Sequence, residues 1–389
     1  MNVLEANIAY VDVSRQIVLL DRRGRRIPKT APDDAPVVWS PWVARQADLS
    51  TWSWPTWSPD GQRIACFRIS GGDTRTAHVY VLEARGIRSS EVIELGERLP
   101  IYLQWSSDGR YLAVLSQREE RLSLSVTWPE DVGREVILGE GSPLFFTWAG
   151  ANRVAAFVGT GTTGGQICLL DPARPTVGTR LPGIPGNFCA PIWLGDSLMY
   201  VARHAGHTAL VVGRETDPDL EEIEPVDGLV ALVASPDRRH IARAVAPSGD
   251  GTPYRHLAVI DAKTREVRPL TDRTCLAFVW CPDGERLVLA RVDTTRNLLE
   301  WHLVDTRDGS SRHLVDMHPT RDLGFYLRFF EQYAQSHPIV DPTGQYLLVA
   351  GGLHGKNELS DTPRLWQVSL EDGKTEDLGE GVFAVYAPA

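Results

Sequence analysis

The sequence predicts an all-β protein assembled from repeated units, and two observations lead to this prediction. The first is a phrase in which an apolar strand end, a tight turn and a second apolar strand follow one another. In the turn, Pro fixes its φ angle, the Asp side chain hydrogen-bonds to the backbone of the turn, and Gly adopts a positive φ. The second observation is that the phrase recurs at a period typical of propellers and solenoids. The clear copies are Trp57–Ala65, Trp105–Ala113, Ala234–Ala242, Trp280–Val288 and Val340–Leu348.

Two degenerate copies fill the gaps between the clear ones. Phe145–Ala155 keeps the tryptophan and the turn, and Pro191–Tyr200 shortens the turn. The anchor residues of the phrase then fall at positions 57, 105, 148, 193, 234, 280 and 340. Most anchors are 41 to 48 residues apart, which is close to one four-stranded blade of a propeller, and the last interval is 60 residues. Each interval therefore predicts one blade, with strands A to D in chain order and strand A lining a central channel.

The two ends of the chain match different strands of one blade. Residues 8–12, 16–21 and 25–28 fit strands B, C and D with no strand A before them, and Val382–Pro388 fits a strand A with no strand B after it. Joined, residues 1–29 and 381–389 would form a composite blade that closes the ring and removes exposed sheet edges. We therefore expect one domain over residues 1–389 with eight four-stranded blades, or seven blades if one degenerate copy is an insertion.

The turn phrase also carries a family resemblance. Trp57-Ser58-Pro59-Asp60-Gly61, followed by an Ile-Ala strand and a Leu-x-x-x-Asp strand, resembles the TolB-like (WD-type) propeller repeat. That repeat also occurs in the propeller domains of prolyl-oligopeptidase-like enzymes, and the resemblance covers essentially the whole chain. It implies a propeller that binds other proteins or gates an attached hydrolase. Because the repeats leave no room for a hydrolase domain, a propeller that stands alone is expected.

Composition limits the class of partner. The net charge of −10 argues against a nucleic-acid partner, since such proteins need a concentrated positive face. No apolar run approaches the length of a membrane span, so we expect no membrane insertion. The first 30 residues lack a signal-peptide core, which predicts a cytoplasmic location, or a periplasmic or extracellular one if a leader has been removed.

The five cysteines match no metal-ligand spacing and are expected to be reduced core residues. The oligomeric state is not predicted.

Motifs that carry chemistry are few. The sequence has no Gly-x-Ser-x-Gly elbow, no His-Glu-x-x-His and no paired Cys-x-x-Cys, so we predict no catalytic residue and no cofactor. Four histidines lie in or beside predicted loops between strands B and C, where imidazoles that converged over the channel would hold a metal. They belong to different blades, so ordinary surface histidines are favoured over a metal site. The four are His204, His207, His256 and His354.

Two connections between blades are expanded, at residues 30–51 and 315–336, and both lie on the face that carries the B-to-C loops. The first contains Trp39 and Trp42. The second contains five aromatics spaced i, i+1, i+4, i+5 and i+8, which predicts a short helix over Asp322–Ser336 with an aromatic stripe. Aromatics on loops over a rigid scaffold are typical of recognition sites, so we predict that they bind a partner. The alternative is that the helix only plugs the channel mouth. The five aromatics are Phe325, Tyr326, Phe329, Phe330 and Tyr333.

The channel lining is predicted from the residues that stand three positions before each anchor. Large side chains cluster on one side of the ring, and Ala190, Ala231 and Ala277 fall opposite them, which would give a lopsided apolar cradle for a peptide or small ligand. If the strand register were shifted by one residue, these side chains would pack between blades instead. The large residues are Trp54, Tyr102, Phe145, His337 and Phe383.

The sequence thus favours a non-enzymatic module that binds a protein or peptide, with a small ligand as another possibility, on the loop-rich face and at the channel mouth. Two alternatives stay open. One is an enzyme of lyase or hydrolase type with a histidine or acidic group at the channel mouth, and the other is a scaffold subunit of a complex.

Overall fold

The computed structural model describes residues 7–30, 50–70, 75–86, 88–161, 164–175, 178–186, 189–247, 253–356 and 362–389. In chain order, the first eleven strands are β1 (Ile8–Val11), β2 (Ile17–Leu20), β3 (Arg26–Pro28), β4 (Thr51–Trp57), β5 (Arg63–Ile69), β6 (Ala77–Glu83), β7 (Ser89–Gly96), β8 (Leu99–Trp105), β9 (Leu112–Arg118), β10 (Arg121–Thr127) and β11 (Glu135–Gly141). The next thirteen are β12 (Leu144–Ala149), β13 (Arg153–Gly159), β14 (Gly165–Leu170), β15 (Gly178–Arg180), β16 (Ile184–Pro185), β17 (Ile192–Trp193), β18 (Leu198–His204), β19 (His207–Arg214), β20 (Asp217–Pro225), β21 (Leu229–Ala234), β22 (His240–Ala246), β23 (Arg255–Asp261) and β24 (Val267–Thr271). The remaining elements are β25 (Ala277–Trp280), β26 (Arg286–Asp293), β27 (Leu298–Asp305), β28 (Ser311–Pro319), α1 (Arg321–Arg328), α2 (Phe330–Tyr333), β29 (Tyr346–Leu353), β30 (Arg364–Ser369), β31 (Thr375–Glu380) and β32 (Phe383–Tyr386).

These strands form seven antiparallel sheets within the described ranges. Most sheets contain four strands that follow one another in the chain, such as β4 to β7 and β8 to β11. The largest runs from β25 to β31, because β28 pairs with β29 where Met317 lies opposite Leu353. An all-β fold of small antiparallel sheets is therefore confirmed. The number of blades stays a prediction, because two of the predicted blades share this one sheet.

The repeated turn has the hydrogen bonds that its residue types predict. Ser58 Oγ donates to Asp60 Oδ1 over 2.5 Å, and the Gln62 amide donates to the same oxygen over 3.0 Å. Gly61 follows with a φ of 64°, a conformation that suits glycine because it has no Cβ. In the third copy Arg238 takes the glycine position at a φ of 57°. The turn geometry is therefore retained even where the glycine is lost.

The anchor tryptophans connect neighbouring sheets. Trp105 Nε1 donates to the carbonyl oxygen of Thr56 over 3.0 Å, and Trp148 Nε1 donates to that of Gln104 over 3.3 Å. Each of these carbonyls belongs to the residue just before the preceding anchor. Trp280 repeats the pattern on the carbonyl oxygen of Val233 over 2.9 Å. All of these indoles are buried, so the anchor tryptophans contribute to the packing between sheets.

The strands nearest the axis follow one another around a ring. β4 contacts β8, β12 contacts β17, β17 contacts β21 and β21 contacts β25. The C-terminal strand β32 contacts both β29 and β4, and it pairs with β1, with Val11 opposite Phe383 and Ile8 opposite Tyr386. Two backbone bonds extend this pairing, because the Val382 amide donates to Val11 and the Ala387 amide donates to Asn7. The last strand of the chain thus completes the sheet of the first three.

The apolar core lies mainly between neighbouring sheets. In one such cluster Phe67 of β5 packs with Leu103 and Trp105 of β8. The five cysteines are unpaired and buried, and burial raises the pKa of Cys66, Cys189, Cys275 and Cys281 above the ordinary range of a thiol. Among the described residues, no helix combines the length and the apolar character needed to cross a bilayer.

Candidate functional site

Residues 320–337, named the plug here, enter the centre of the ring from the loop-rich face. Thr320 begins α1, because its Oγ1 accepts a hydrogen bond from the Leu323 amide over 3.1 Å. The same hydroxyl donates to the carbonyl oxygen of Val382 over 2.6 Å, which fixes the start of the helix to the start of β32. Asp322 accepts from Arg15 Nη1 on both carboxylate oxygens, at 3.0 and 2.9 Å. The first turn of α1 is therefore tied to the turn between β1 and β2.

Polar side chains of the plug bond to the backbone of the innermost strands. Gln332 Oε1 accepts from the Phe146 amide over 3.1 Å, and Gln332 Nε2 donates to the carbonyl oxygen of Phe146 over 2.8 Å. Glu331 Oε1 accepts from the Leu232 amide over 3.0 Å. The free edge of an innermost strand carries unpaired amides and carbonyls, whose burial is costly without partners. The plug supplies such partners to β12 and β21.

Tyr333 lies at the centre of the aromatic side of the channel. Its ring centroid is 4.6 Å from that of Trp54, 5.0 Å from that of Tyr102 and 5.1 Å from that of His337. Phe383 closes the group at 5.0 Å from Trp54. Trp54, Tyr102 and Phe383, named from the sequence as channel-lining, thus meet around the plug, and His337 is the last residue of the plug. Phe145 is buried, and its place in the channel stays a prediction.

Phe330 occupies the opposite side of the channel. Its ring centroid lies 4.8 Å from that of Phe278 and 5.9 Å from that of Tyr254. Here α2 packs on β21 and β25, whose predicted channel positions are Ala231 and Ala277. Small side chains on these strands leave room for the helix.

Three of the five aromatics in the predicted stripe are buried, as the alternative of a helix that plugs the channel implies. Tyr326, Phe330 and Tyr333 are fully buried, so they cannot contact a partner without displacement of the plug. The physical reason is that the helix is sunk into the ring rather than resting on its surface. It is also interrupted at Phe329, whose φ of −121° separates α1 from α2. Trp39 and Trp42 lie outside the described residues.

Three aromatic side chains stay accessible at the loop-rich mouth of the channel, and we name Trp54, Phe325 and Phe329 the mouth patch. Phe325 is 37% exposed, and the other two are half-buried. The centroid of Phe325 lies 4.8 Å from that of Phe329 and 5.6 Å from that of Trp54. Trp54 has a φ of 54° within a bulge of β4, which is a strained conformation for a bulky residue. The bulge directs its indole towards the plug.

A second feature lies on the other side of the plug, facing the repeated turns, and we name it the turn-side cavity. Its volume is about 330 Å³. Gln104 is 92% buried in its wall, and the side-chain oxygen of Gln104 accepts no hydrogen bond from any described residue. The cavity is lined by Trp148, Trp193, Trp280, Gln104, Glu331 and Arg238, among others. Pro236 and Pro282, which are exposed turn residues, also line it, so the cavity reaches the surface at the turns.

The histidines considered as metal ligands do not converge. His204 and His207 share Glu222, with Nε2-to-oxygen distances of 3.8 and 3.0 Å, whereas His256 Nδ1 lies 2.8 Å from Asp272 Oδ1. His354 follows β29, in a different sheet from the other three. Among the described residues, no group of three His, Cys, Asp or Glu side chains is arranged to hold a metal ion.

Comparisons with known proteins agree with this architecture. No family model matches the sequence. Over 205 residues the chain is 28% identical to Tricorn protease homolog 1 of Streptomyces coelicolor, a match that covers 49% of this chain and 19% of that protein. The β-propeller domain of the Trilobed protease from Pyrococcus furiosus has a TM-score of 0.52 at 13% identity, covering 85% of this chain and 97% of that one. The chain is a β-propeller.

A prolyl endopeptidase structure matches this propeller with a TM-score of 0.53 at 12% identity, covering 86% of this chain and half of the endopeptidase. The predicted β-propeller fold is thereby confirmed, and the described residues contain no hydrolase domain. The chain spans about a fifth of the length of the curated relative. The propeller of the Trilobed protease is described as having an open velcro topology, whereas in this propeller β32 pairs with β1.

Burial in the channel shifts the pKa values of two plug residues in opposite senses. Burial raises the pKa of Glu331 from about 4.5 to about 8, although the Leu232 amide opposes the shift. Burial lowers the pKa of His337 from 6.5 to about 3. His337 keeps its hydrogen bonds as a neutral ring, since Nε2 lies 2.9 Å from Thr56 Oγ1 and Nδ1 lies 2.7 Å from Ser336 Oγ. Burial in the channel therefore favours the uncharged form of both Glu331 and His337.

These shifts predict how stability depends on pH. Between pH 4.5 and 8 the native state holds the Glu331 proton and the unfolded chain has lost it, so stability falls as pH rises. Glu331→Gln removes this penalty, and we expect its free energy of unfolding to exceed that of the wild type by about 2–4 kcal/mol at pH 8. At pH 4 the two proteins should be nearly equal. Urea unfolding at both pH values measures the difference, and an equal gain at pH 4 and pH 8 would show that Glu331 ionises normally.

Sequence reasoning missed the polar residues that hold the plug. Glu331 and Gln332 stand between Phe330 and Tyr333, and such a polar pair inside an aromatic run signals buried hydrogen bonding. Gln104 gave no such signal, because its position before Trp105 looks like any other strand residue.

Proposed function

We propose that this propeller is a non-enzymatic binding module that recognises a protein or peptide through the mouth patch. The observation that carries the proposal is the exposed Phe325 ring, held against Phe329 and Trp54 at the centre of the loop-rich face. Aromatic side chains fixed on a rigid scaffold bury a large area at little cost in conformational entropy, and they are enriched in binding hot spots.

The surroundings of the mouth patch favour a partner that presents an apolar side chain beside a carboxylate. Arg321 and Arg328 are exposed at the two ends of α1, and the guanidinium of Arg328 lies 5.8 Å from the Phe329 ring centroid. Arginine and aromatic residues together are the types most enriched at interface centres. The similarity to proteins named as proteases and prolyl endopeptidases supports a peptide as the ligand.

Phe325→Ser tests the proposal. We expect the variant to lose roughly 2 kcal/mol of binding, or about 30-fold in Kd, for a partner captured by the wild-type protein from its native cells. Its melting temperature should fall by only a few degrees, because Phe325 is the exposed member of the patch and loses ring contacts with Trp54 and Phe329 alone among the patch residues. Partner retention and thermal unfolding are measured on the same preparations.

Ile137→Ser is the matched control. Ile137 is 52% exposed on β11, in an outer strand away from the channel, so its replacement removes a comparable apolar surface. The control should retain the partner. Equal retention by the wild type, Phe325→Ser and Ile137→Ser would contradict binding at the mouth patch, and equal loss in both variants would show non-specific apolar capture.

A further inference from the structure

The turn-side cavity combines two oxygen acceptors with aromatic walls. Gln104 is 92% buried in the cavity wall, and its side-chain oxygen lacks a partner among the described residues, which costs free energy. Glu331 lines the same cavity. Among the described backbone groups, the Leu232 amide alone donates a hydrogen bond to its carboxyl group, at Oε1. A buried acceptor without a protein donor is satisfied by water or by the donor group of a bound ligand.

The remaining lining defines the shape and polarity of an occupant. Three indole side chains, Trp148, Trp193 and Trp280, form part of the wall together with Ile192 and Val279. Aromatic faces attract organic cations, and aliphatic walls accept an alkyl chain. The volume of about 330 Å³ is at the lower end of small-molecule pockets, so it suits a short chain rather than a folded segment.

We propose that the turn-side cavity binds a primary ammonium group carried on a short apolar chain, with Gln104 and Glu331 as its hydrogen-bond acceptors. The N–H groups of the ammonium donate to the Gln104 side-chain oxygen and to the Glu331 carboxylate. The alkyl chain lies against the tryptophans and extends towards the exposed turns. This site is separate from the mouth patch, because the plug lies between them.

Binding of a cation requires ionised Glu331, and the groups around this residue leave that step to Glu331 alone. The strands on which α2 packs, β12, β21 and β25, carry no titratable side chain. Helix α1 also contacts α2. Its arginines are exposed, its Asp322 is paired with Arg15, and burial raises the pKa of its Tyr326, which is neutral.

The Cys189 thiol and the Tyr254 phenol interact with Glu331, and burial raises the pKa of both groups, so they are neutral. His337 on the plug is neutral, and Arg238 stands at the exposed turn, where water screens it. An incoming ammonium therefore displaces the proton of Glu331 into solvent.

The probe is hexylammonium, and binding is measured by calorimetry and by the fluorescence of the cavity tryptophans. An alkylammonium keeps its charge up to about pH 10. Its affinity should therefore be at least tenfold stronger at pH 8 than at pH 6, because at pH 6 each binding event must remove a proton from Glu331. The measured enthalpy at pH 6 should vary with the ionisation enthalpy of the buffer.

Two matched probes isolate the chemistry. Hexanol has the chain without the charge, and hexyltrimethylammonium has the charge without N–H donors. Both should bind at least tenfold more weakly than hexylammonium. If hexanol bound as tightly as hexylammonium, the cavity would recognise only the apolar chain. If the trimethyl compound bound as tightly, Gln104 and Glu331 would not act as hydrogen-bond acceptors. Either result overturns the proposal.

Two variants test the acceptors. Glu331→Gln should lose hexylammonium binding together with its pH dependence while staying folded, since the substitution is expected to raise stability. Gln104→Leu should bind at least fivefold more weakly but keep the pH dependence. Absence of hexylammonium binding to the wild type at millimolar concentration, or unchanged binding by both variants, would overturn the proposal.

The ammonium group can belong to a free alkylamine or to a lysine side chain. Lysine with its α-amine acetylated and its carboxyl amidated distinguishes the two sources. Binding of this capped lysine as tight as that of hexylammonium identifies a lysine side chain as the ligand, and binding of hexylammonium alone identifies a free amine. Both results support an ammonium site, and failure of both probes refutes it.

Discussion

Removal of residues 382–389 is expected to prevent formation of the closed ring. β32 supplies the innermost strand of the first sheet, and Phe383, Val385 and Tyr386 are almost fully buried. Their loss exposes the edge of β1 and the apolar sides of two sheets, which favours aggregation. It also removes the hydrogen bond from the Tyr386 amide to Pro338 and that from Thr320 to Val382, so the plug loses support as well. We expect loss of the cooperative thermal transition or a fall of more than 20 °C in the melting temperature.

The control for this truncation is removal of residues 388–389 alone. Pro388 is half-buried and Ala389 is exposed, and both lie beyond β32. The short truncation should melt within a few degrees of the full chain and stay monodisperse on size-exclusion chromatography. If the long truncation behaved in the same way, closure of the ring by β32 would contribute nothing to stability.

Trp105→Ala is expected to cost about 3–5 kcal/mol of unfolding free energy, the usual effect of removing a large buried aromatic side chain. Trp105 packs with Phe67 and Leu103 between two sheets, and the Arg63 guanidinium lies 4.7 Å from its ring centroid. Its loss also leaves the carbonyl oxygen of Thr56 without its donor. Chemical denaturation with a fitted m-value measures the change.

Trp105→Phe separates packing from hydrogen bonding. Phenylalanine retains most of the apolar contact but cannot donate to Thr56, so we expect a loss of about 1–2 kcal/mol. Neither variant should alter partner binding once the protein is folded, because Trp105 is buried and is not a member of the mouth patch. Intact stability in Trp105→Ala, together with loss of a binding event, would make the anchor tryptophans functional rather than structural.

The architecture was predictable because its signals are local. The Ser58-to-Asp60 bond and the positive φ of Gly61 arise within one turn, and the sequence repeats that turn often enough to define a period. The indole of Trp105 could be placed between sheets for the same reason, since Trp148 and Trp280 stand at the same position of the repeat and make the same hydrogen bond to the preceding unit. Residue types and spacing were sufficient for both.

The position of the plug was not predictable because its contacts are distant in the chain. Gln332 bonds to Phe146 across 186 residues, and Glu331 bonds to Leu232 across 99 residues. The aromatic spacing identifies one face of a helix but not the surface that covers it, so the sequence left open whether Phe330 binds a partner or plugs the channel. The turn-side cavity is harder still to foresee, because five separate sheets contribute residues such as Gln104 and Trp280.

The plug has one further consequence. A ring of strands with an open centre would be a conduit along which an extended chain could be threaded from one face to the other. Tyr333 packs against Tyr102 and Phe330 packs against Phe278, on opposite sides of the channel. The plug therefore divides the channel into two openings, one on each face of the propeller. No molecule can pass along the axis while the plug is in place. Each of the two openings is therefore accessible to a ligand only from its own face of the propeller.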